Sequence, residues 1–211
     1  MEYTSSGQRH SKPTRIAHMA LAVTIVTQLI SSLVMIPPLD GNTADFAFAV
    51  HKYAGIAAFV AALAFWLVIA SRRRGTHALS LFPWFSRKRL SLLANDLRDH
   101  GAAISRFHIP DYRAENPLAS AVHGLGLLLM TGMAATGVAF LVAARSGLGE
   151  ETAWVTADLQ LHVLFANVVW AYLIGHAALA VVHQIVSKRS LMEMWSLRPD
   201  AGAPVTEVQG N

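Results

Sequence analysis

Four long apolar stretches divide this sequence, and each is long enough for a helix that crosses a membrane. They cover residues 16–36, 46–70, 118–144 and 161–187. The hydrocarbon core of a bilayer is about 30 Å thick, which a helix of roughly 20 residues spans. Of the 211 residues, 54% are hydrophobic and only 14% are charged, which is unusual for a soluble domain of this size. The sequence therefore predicts an all-α membrane protein, a bundle of four transmembrane helices.

Basic residues are concentrated on one side of the predicted membrane. Fifteen of the seventeen Lys and Arg fall in segment 1–15, in the connection 71–117 and in the tail 188–211, which leaves Lys52 and Arg145 elsewhere. Loops rich in Lys and Arg stay in the cytoplasm. Both termini and the long connection are therefore predicted to be cytoplasmic, around a membrane domain at 16–187. This topology accounts for the net charge of +4, so nucleic acid is not expected as a partner.

Histidines within the apolar stretches fall at matching depths. His162 and His176 are fourteen residues apart, which on an α-helix returns to nearly the same face after about 21 Å. The topology puts His162 beside His51 in the outer leaflet and His176 beside His18 in the inner leaflet. A histidine inside a membrane is costly and usually serves a function. Two pairs are predicted, although His183 also lies near the inner end and depth alone does not exclude it as the partner of His18.

The chemistry of these pairs favours haem. The chain has no cysteine, which excludes cysteine-ligated iron–sulfur clusters and covalently attached c-type haem. Two axial imidazoles make haem iron six-coordinate and suit it to electron transfer. A zinc site would need three or four ligands at one depth, and histidines that merely pack are a second alternative. The expected cofactors are two non-covalent b-type haems.

Two further stretches each allow two interpretations. In the connection 71–117, an apolar stripe flanked by cations indicates a helix that either lies on an anionic membrane surface or packs on its own protein; it consists of Leu90, Leu93, Leu97 and Ile104. In the third span, small residues either allow close helix packing or leave room for a planar cofactor; these are Gly124, Gly126, Gly132 and Gly137.

The residues of the last span resemble a known family. His162, the Ala166-Asn167 pair, the run Ile-Gly-His-Ala-Ala-Leu-Ala at 174–180 and His183 are similar to helix 4 of bacterial cytochrome b561. The resemblance extends to the other spans through His18, through His51 with Gly55, and through His123 with Gly137. It also extends to the diheme cytochrome b subunits of nickel–iron hydrogenase and formate dehydrogenase, in which helices 1 and 2 give one haem ligand each and helix 4 gives two.

The resemblance implies both a ligand set and a role. The implied haem ligands are His18, His51, His162 and His176. The implied role is electron transfer across the bacterial cytoplasmic membrane, between a redox partner protein and the quinone pool. Membrane lipid and a quinone are thus expected partners, and a homodimer is left open. Whether the chain is itself an enzyme or the electron-transfer component of a quinone-linked oxidoreductase also stays open.

Other functions remain as alternatives. The chain is alternatively a stand-alone superoxide:quinone oxidoreductase, the anchor subunit of a dehydrogenase or hydrogenase complex, or a non-redox anchor. Acidic residues in the predicted outer loops would repel an anionic substrate and so disfavour the superoxide reaction; they are Asp40, Asp45, Glu150, Glu151 and Asp158.

A quinone needs groups that exchange protons, and histidine titrates in the useful pH range. His123 and His183 both fall at the inner-leaflet level, with Asn116 close in sequence. They are predicted to flank an inner quinone site. The alternative is that they form hydrogen bonds with haem propionates or with each other.

Overall fold

The computed structural model describes residues 11–71, 78–106, 117–149, 151–186, 192–195 and 197. Within these residues the chain is helical and has no strand. Four helices in the described part of the chain are long and apolar enough to cross a membrane, which confirms the predicted fold class. The helices are α1 (Lys12–Ser32), α2 (Phe46–Ser71), α3 (Arg87–Ile104), α4 (Pro117–Arg145), α5 (Ala153–Val186) and α6 (Met192–Trp195).

The first helix lies four residues earlier than the predicted span. The Ser11 side chain accepts a hydrogen bond from the Thr14 backbone N–H and caps the helix, and a proline in the first turn is compatible with this start. Hydroxyl groups along α1 donate to carbonyls of their own helix, for example Thr27 to Val23. Such bonds satisfy polar side chains in a setting without water. The helix thus reaches Ser32 and ends before Pro37.

The last long helix begins eight residues before the predicted span. Trp154 and Val155 extend its apolar surface toward the preceding loop, and Val155 is completely buried. The bounds of α2 and α4 lie within one residue of the predicted spans at 46–70 and 118–144.

The four long helices pack in the order α1, α2, α4, α5. α1 packs along α2, α2 along α4, and α4 along α5, whereas α5 has few close backbone approaches to α1 or α2. The core between them is apolar; its members include Leu21, Ile25, Leu29, Ala58, Ala62, Leu127, Met130, Ala134 and Val169. Large apolar side chains also cover the outward faces, as expected for contact with lipid; examples are Val23, Leu67, Val163 and Ile185.

The connection between α2 and α4 packs against one end of the bundle. Leu81 is buried there, and α3 lies beside α4, where Asp96 accepts a hydrogen bond of 2.8 Å from the Leu118 backbone N–H. Part of the apolar stripe stays outside this contact, since Leu90 is 42% exposed and Leu97 is 58% exposed. The helix therefore packs on its own protein and also presents an apolar flank. We call the end where α1 begins the basic end, and the end where α1 stops the acidic end.

Candidate functional site

The described histidine side chains of the four long helices lie at two levels of the bundle. Near the acidic end, His51 of α2 and His162 of α5 face each other with ring centroids 6.3 Å apart and ring planes at 79°. His51 is 8% exposed and His162 is half-buried. The two residues are 111 positions apart in the chain, so helix packing alone brings them together.

The ring of His51 is held by α1. Its Nδ1 lies 3.2 Å from the Gln28 carbonyl oxygen and 3.1 Å from the Ser31 hydroxyl. A carbonyl oxygen only accepts, so this Nδ1 must carry the hydrogen. Ser31 directs its own hydrogen to the carbonyls of Thr27 and Gln28 and is free to accept from the ring. His51 is therefore the Nδ1–H tautomer, with its lone pair on Nε2. The Gln28 side-chain amide also donates to the His51 backbone carbonyl.

The ring of His162 is held in the same way by α4. Its Nδ1 lies 2.8 Å from the Thr136 hydroxyl, and that hydroxyl donates its hydrogen to the Met133 carbonyl at 2.8 Å. The Met133 backbone also forms a hydrogen bond with His162. Thr136 therefore accepts from Nδ1–H, and the lone pair of His162 is again on Nε2. In both cases a carbonyl and a hydroxyl three residues further along a neighbouring helix hold the ring.

At the basic end, His176 lies in a cluster of rings. Tyr172 stacks on it with centroids 5.5 Å apart and planes at 10°, and the exposed His123 of α4 meets it edge-on at 5.3 Å. The Tyr172 hydroxyl donates to the Val122 carbonyl at 3.3 Å. His123 donates from Nδ1 to the Ala119 carbonyl of its own helix at 2.6 Å. Tyr172 thus connects α4 and α5 beside His176.

His18 of α1 reaches the same level. Its ring meets Phe65 at 6.5 Å and Trp195 at 6.2 Å, both edge-on, and it interacts electrostatically with His176 and His123. Its Nδ1 is buried and has no hydrogen-bond partner among the described residues. His18 and His176, which are predicted to form a pair, thus lie at one level of the bundle. No direct contact joins their rings in the described part of the chain. His183 belongs to α5, but its side chain lies outside the described residues.

Glycines of α4 make room for neighbouring side chains. A Cβ at Gly126 would overlap the Tyr172 hydroxyl, and a Cβ at Gly137 would come within 3.2 Å of Cε1 of His162. These glycines therefore serve close packing. Gly137 packs against His162, and Gly126 packs against Tyr172, the residue that stacks on His176.

Sequence reasoning missed the groups that hold the histidines. Gln28, Ser31, Thr136 and Tyr172 were not singled out, although a hydroxyl or amide inside an apolar span is itself unusual. The signal was their depth: Ser31 falls at the level of His51, and Thr136 at the level of His162. No group of three or more histidine, aspartate or glutamate side chains converges as a metal site within the described residues, so the donor sets seen here are pairs.

Comparison with known proteins now decides the family. The model of the prokaryotic cytochrome b561 family matches residues 9–197, which include all four long helices. The chain belongs to the prokaryotic cytochrome b561 family. Searches of curated proteins and of solved structures returned no match. The predicted family is thus confirmed, together with its relation to the cytochrome b subunits of hydrogenase and formate dehydrogenase.

Membership defines the general chemistry of this cytochrome. It is a multi-pass membrane protein that holds b-type haem, transfers electrons, and contacts lipid and redox partners. The residues at the acidic end fit such a group, because two imidazoles from different helices each keep the Nε2 lone pair for a metal. An imidazole–metal bond is about 2 Å long, so a metal atom between two imidazoles separates the ring centroids by roughly 6 Å. The observed 6.3 Å agrees with this separation.

Proposed function

We propose that this protein is a diheme cytochrome that carries electrons across the bacterial cytoplasmic membrane, between a redox partner protein and the quinone pool. One haem is held at the acidic end by His51 and His162, and the other at the basic end by His18 and His176. The observation that carries the proposal is the facing pair His51 and His162, 6.3 Å apart with both Nε2 lone pairs available.

The arrangement of the helices supports two sites in series. α5 stands off from α1 and α2 while packing on α4. His51 of α2 faces His162 of α5 at the acidic end, and His18 of α1 lies at the level of His176 at the basic end. His162 and His176 are fourteen residues apart on α5, or about 21 Å along its axis. Two centres at these levels divide the membrane into two short electron-transfer steps.

The haem would supply one-electron exchange, and the protein would prevent it from binding dioxygen or water. The two imidazoles of each pair would both bind the haem iron and so leave dioxygen no place to bind. The apolar core around the pairs, with Leu29 and Val169 nearly completely buried, excludes water and favours simple electron transfer. Arg15 is only 1% exposed and lies one turn before His18 on α1. Its guanidinium is suited to pair with a carboxylate of the haem at the basic end.

The basic end is the place for quinone chemistry in this proposal. Loops rich in Lys and Arg favour a cytoplasmic location for this end. His123 is exposed there, and its ring lies 5.3 Å from that of His176. Because its Nδ1 donates to Ala119, the Nε2 atom keeps a lone pair that can accept a proton. A quinone bound against His123 would thus have a proton-exchanging group beside the haem of His176, and His183 is proposed as a second such group.

Alanine substitution of single histidines tests the assignment of the ligands. His51→Ala and His18→Ala in the purified full-length protein should each remove one haem of two, because an iron deprived of one axial imidazole is bound more weakly. His100→Ala, on α3, is the control and should retain both. The measurement is the haem content per chain by the pyridine haemochrome assay. Retention of both haems in His51→Ala would contradict the proposed pairing.

A further inference from the structure

The two histidine levels differ in the hydrogen bonds that the Nδ1 atoms of their rings form. At the acidic end, each Nδ1–H donates to protein oxygens: for His51 the Gln28 carbonyl and the Ser31 hydroxyl, and for His162 the Thr136 hydroxyl and the Met133 backbone. At the basic end, Nδ1 of His18 is buried and has no hydrogen-bond partner among the described residues.

This difference has a direct consequence for a metal bound to the rings. A hydrogen bond from Nδ1–H to an acceptor raises the basicity of the imidazole and fixes its orientation. A more basic axial ligand stabilises ferric iron relative to ferrous iron and so lowers the reduction potential, and hydrogen bonding around the ligands is one of the means by which proteins tune haem. Both rings at the acidic end have such acceptors, whereas Nδ1 of His18 at the basic end has none among the described residues.

We propose that Ser31 and Thr136 are positioning residues that hold the Nδ1–H of His51 and His162 and thereby lower the reduction potential of the acidic-end haem below that of the basic-end haem. The inference rests on the proposed function, since it requires a haem at each level. It also ranks the two haems by reduction potential. Electrons from a partner at the acidic end would move to a haem of higher potential at the basic end, which is energetically favourable.

The two hydroxyls should contribute in parallel. They approach opposite rings from different helices, Ser31 from α1 and Thr136 from α4, and neither lies on the helix of the other histidine. Removing either leaves a backbone partner, Gln28 or Met133, so a single substitution weakens the polarisation of one ring and does not abolish it. Effects at separate positions without shared partners are usually additive.

The test is a spectroelectrochemical redox titration of the purified full-length protein. In the parent protein the haem absorbance should titrate in two steps. Thr136→Val and Ser31→Ala should each raise the lower step, and the double variant should raise it by about the sum, while the upper step stays in place. Thr136→Ser keeps the hydroxyl and should restore the parent value. Thr24→Val, which removes a hydroxyl that donates to the Ala20 and Leu21 carbonyls of its own helix, is the matched control and should change neither step.

The possible outcomes separate this inference from the proposed function. The inference is wrong if both haems are retained but the lower step rises in none of Thr136→Val, Ser31→Ala and the double variant. It is also wrong if only the upper step moves. If the parent protein binds no haem, the proposed function itself fails. Should Thr136→Val lose the acidic-end haem, Ser31→Ala and Thr136→Ser decide the question, together with the low-spin ferric signal in electron paramagnetic resonance. That signal should change in Ser31→Ala and stay as in the parent protein in Thr24→Val.

Discussion

At the scale of single residues, the acidic-end pair shows how an apolar helix can hold a histidine in one orientation. His51 and His162 are each held at Nδ1 by a carbonyl and by a hydroxyl three residues further along the neighbouring helix. One helical turn brings these two oxygens to the same side, since residues three apart lie on one face. The hydroxyl stays satisfied by donating to its own backbone, as Thr136 does to Met133.

His123 is the residue that distinguishes a quinone site from a purely structural cluster. His123→Ala should slow quinone reduction by on the order of 100-fold, the lower end of what the loss of a proton-transfer group costs. The haem spectra should remain as in the parent protein, because the ring is exposed and its Nδ1 donates to a carbonyl of its own helix. The measurement is the rate of electron transfer from reduced haem to a soluble quinone, with His100→Ala as the control. An unchanged rate with intact spectra would exclude His123 from the quinone site.

At the scale of helices, α4 is built around small residues. Its glycines let Tyr172 and His162 approach, so the thin face of α4 fixes where the residues of α5 sit. The helix also begins at a defined place, since Asp96 of α3 accepts from the Leu118 backbone N–H. A capping carboxylate at a helix N-terminus stabilises by about 1 kcal/mol. The packing of α3 thus contributes to the structure of the bundle as well as filling the connection.

Substitution of Gly137 tests whether the glycine-bearing face of α4 positions His162. A Cβ there comes within 3.2 Å of Cε1 of His162, so Gly137→Val should displace the ring and lower the occupancy of the acidic-end haem, with a smaller effect for Gly137→Ala. The control is Gly175→Ala on α5, where a Cβ would meet no atom within 4 Å. Haem content and the visible spectrum report the result. Full occupancy with an unchanged spectrum in Gly137→Val would contradict the account.

The sequence was informative about the helices because apolar length is a strong constraint in a membrane. The four spans followed from apolar length, the two histidine levels from the charge of the loops and the histidine spacing, and the family from the resemblance of the residues in the spans. The start of α5 at Ala153 was missed, since Trp154 and Val155 lie beyond the most apolar part of the helix and the burial of Val155 depends on packing. Ser31 and Thr136 were missed for a related reason: their importance depends on which ring packs beside them, and that is decided by the approach of two helices.

At the scale of the whole molecule, the end that carries most of the basic residues is also the end proposed to hold the haem of higher reduction potential. Fifteen of the seventeen Lys and Arg belong to segments at the basic end, which predicts that this end lies in the cytoplasm. The proposed lower-potential centre lies at the opposite, acidic end. Electrons would therefore enter on the outer side and leave toward the cytoplasmic side, where His123 and the proposed quinone site lie.

The absence of cysteine makes this orientation easy to measure. Thr43→Cys puts a single thiol in the exposed loop at the acidic end, and Ala94→Cys puts one on the exposed side of α3 at the basic end. A maleimide reagent that cannot cross membranes should label Thr43→Cys in intact cells, and Ala94→Cys only after the cells are opened. The reverse pattern would show that the orientation is inverted.

The central claim is that one chain holds two b-type haems, each between two histidines. The most direct test is the haem content of the purified full-length protein, measured by the pyridine haemochrome assay against the protein concentration from amino-acid analysis. We expect two b-type haems per chain. A saturated content of one haem, or of none, would contradict the account.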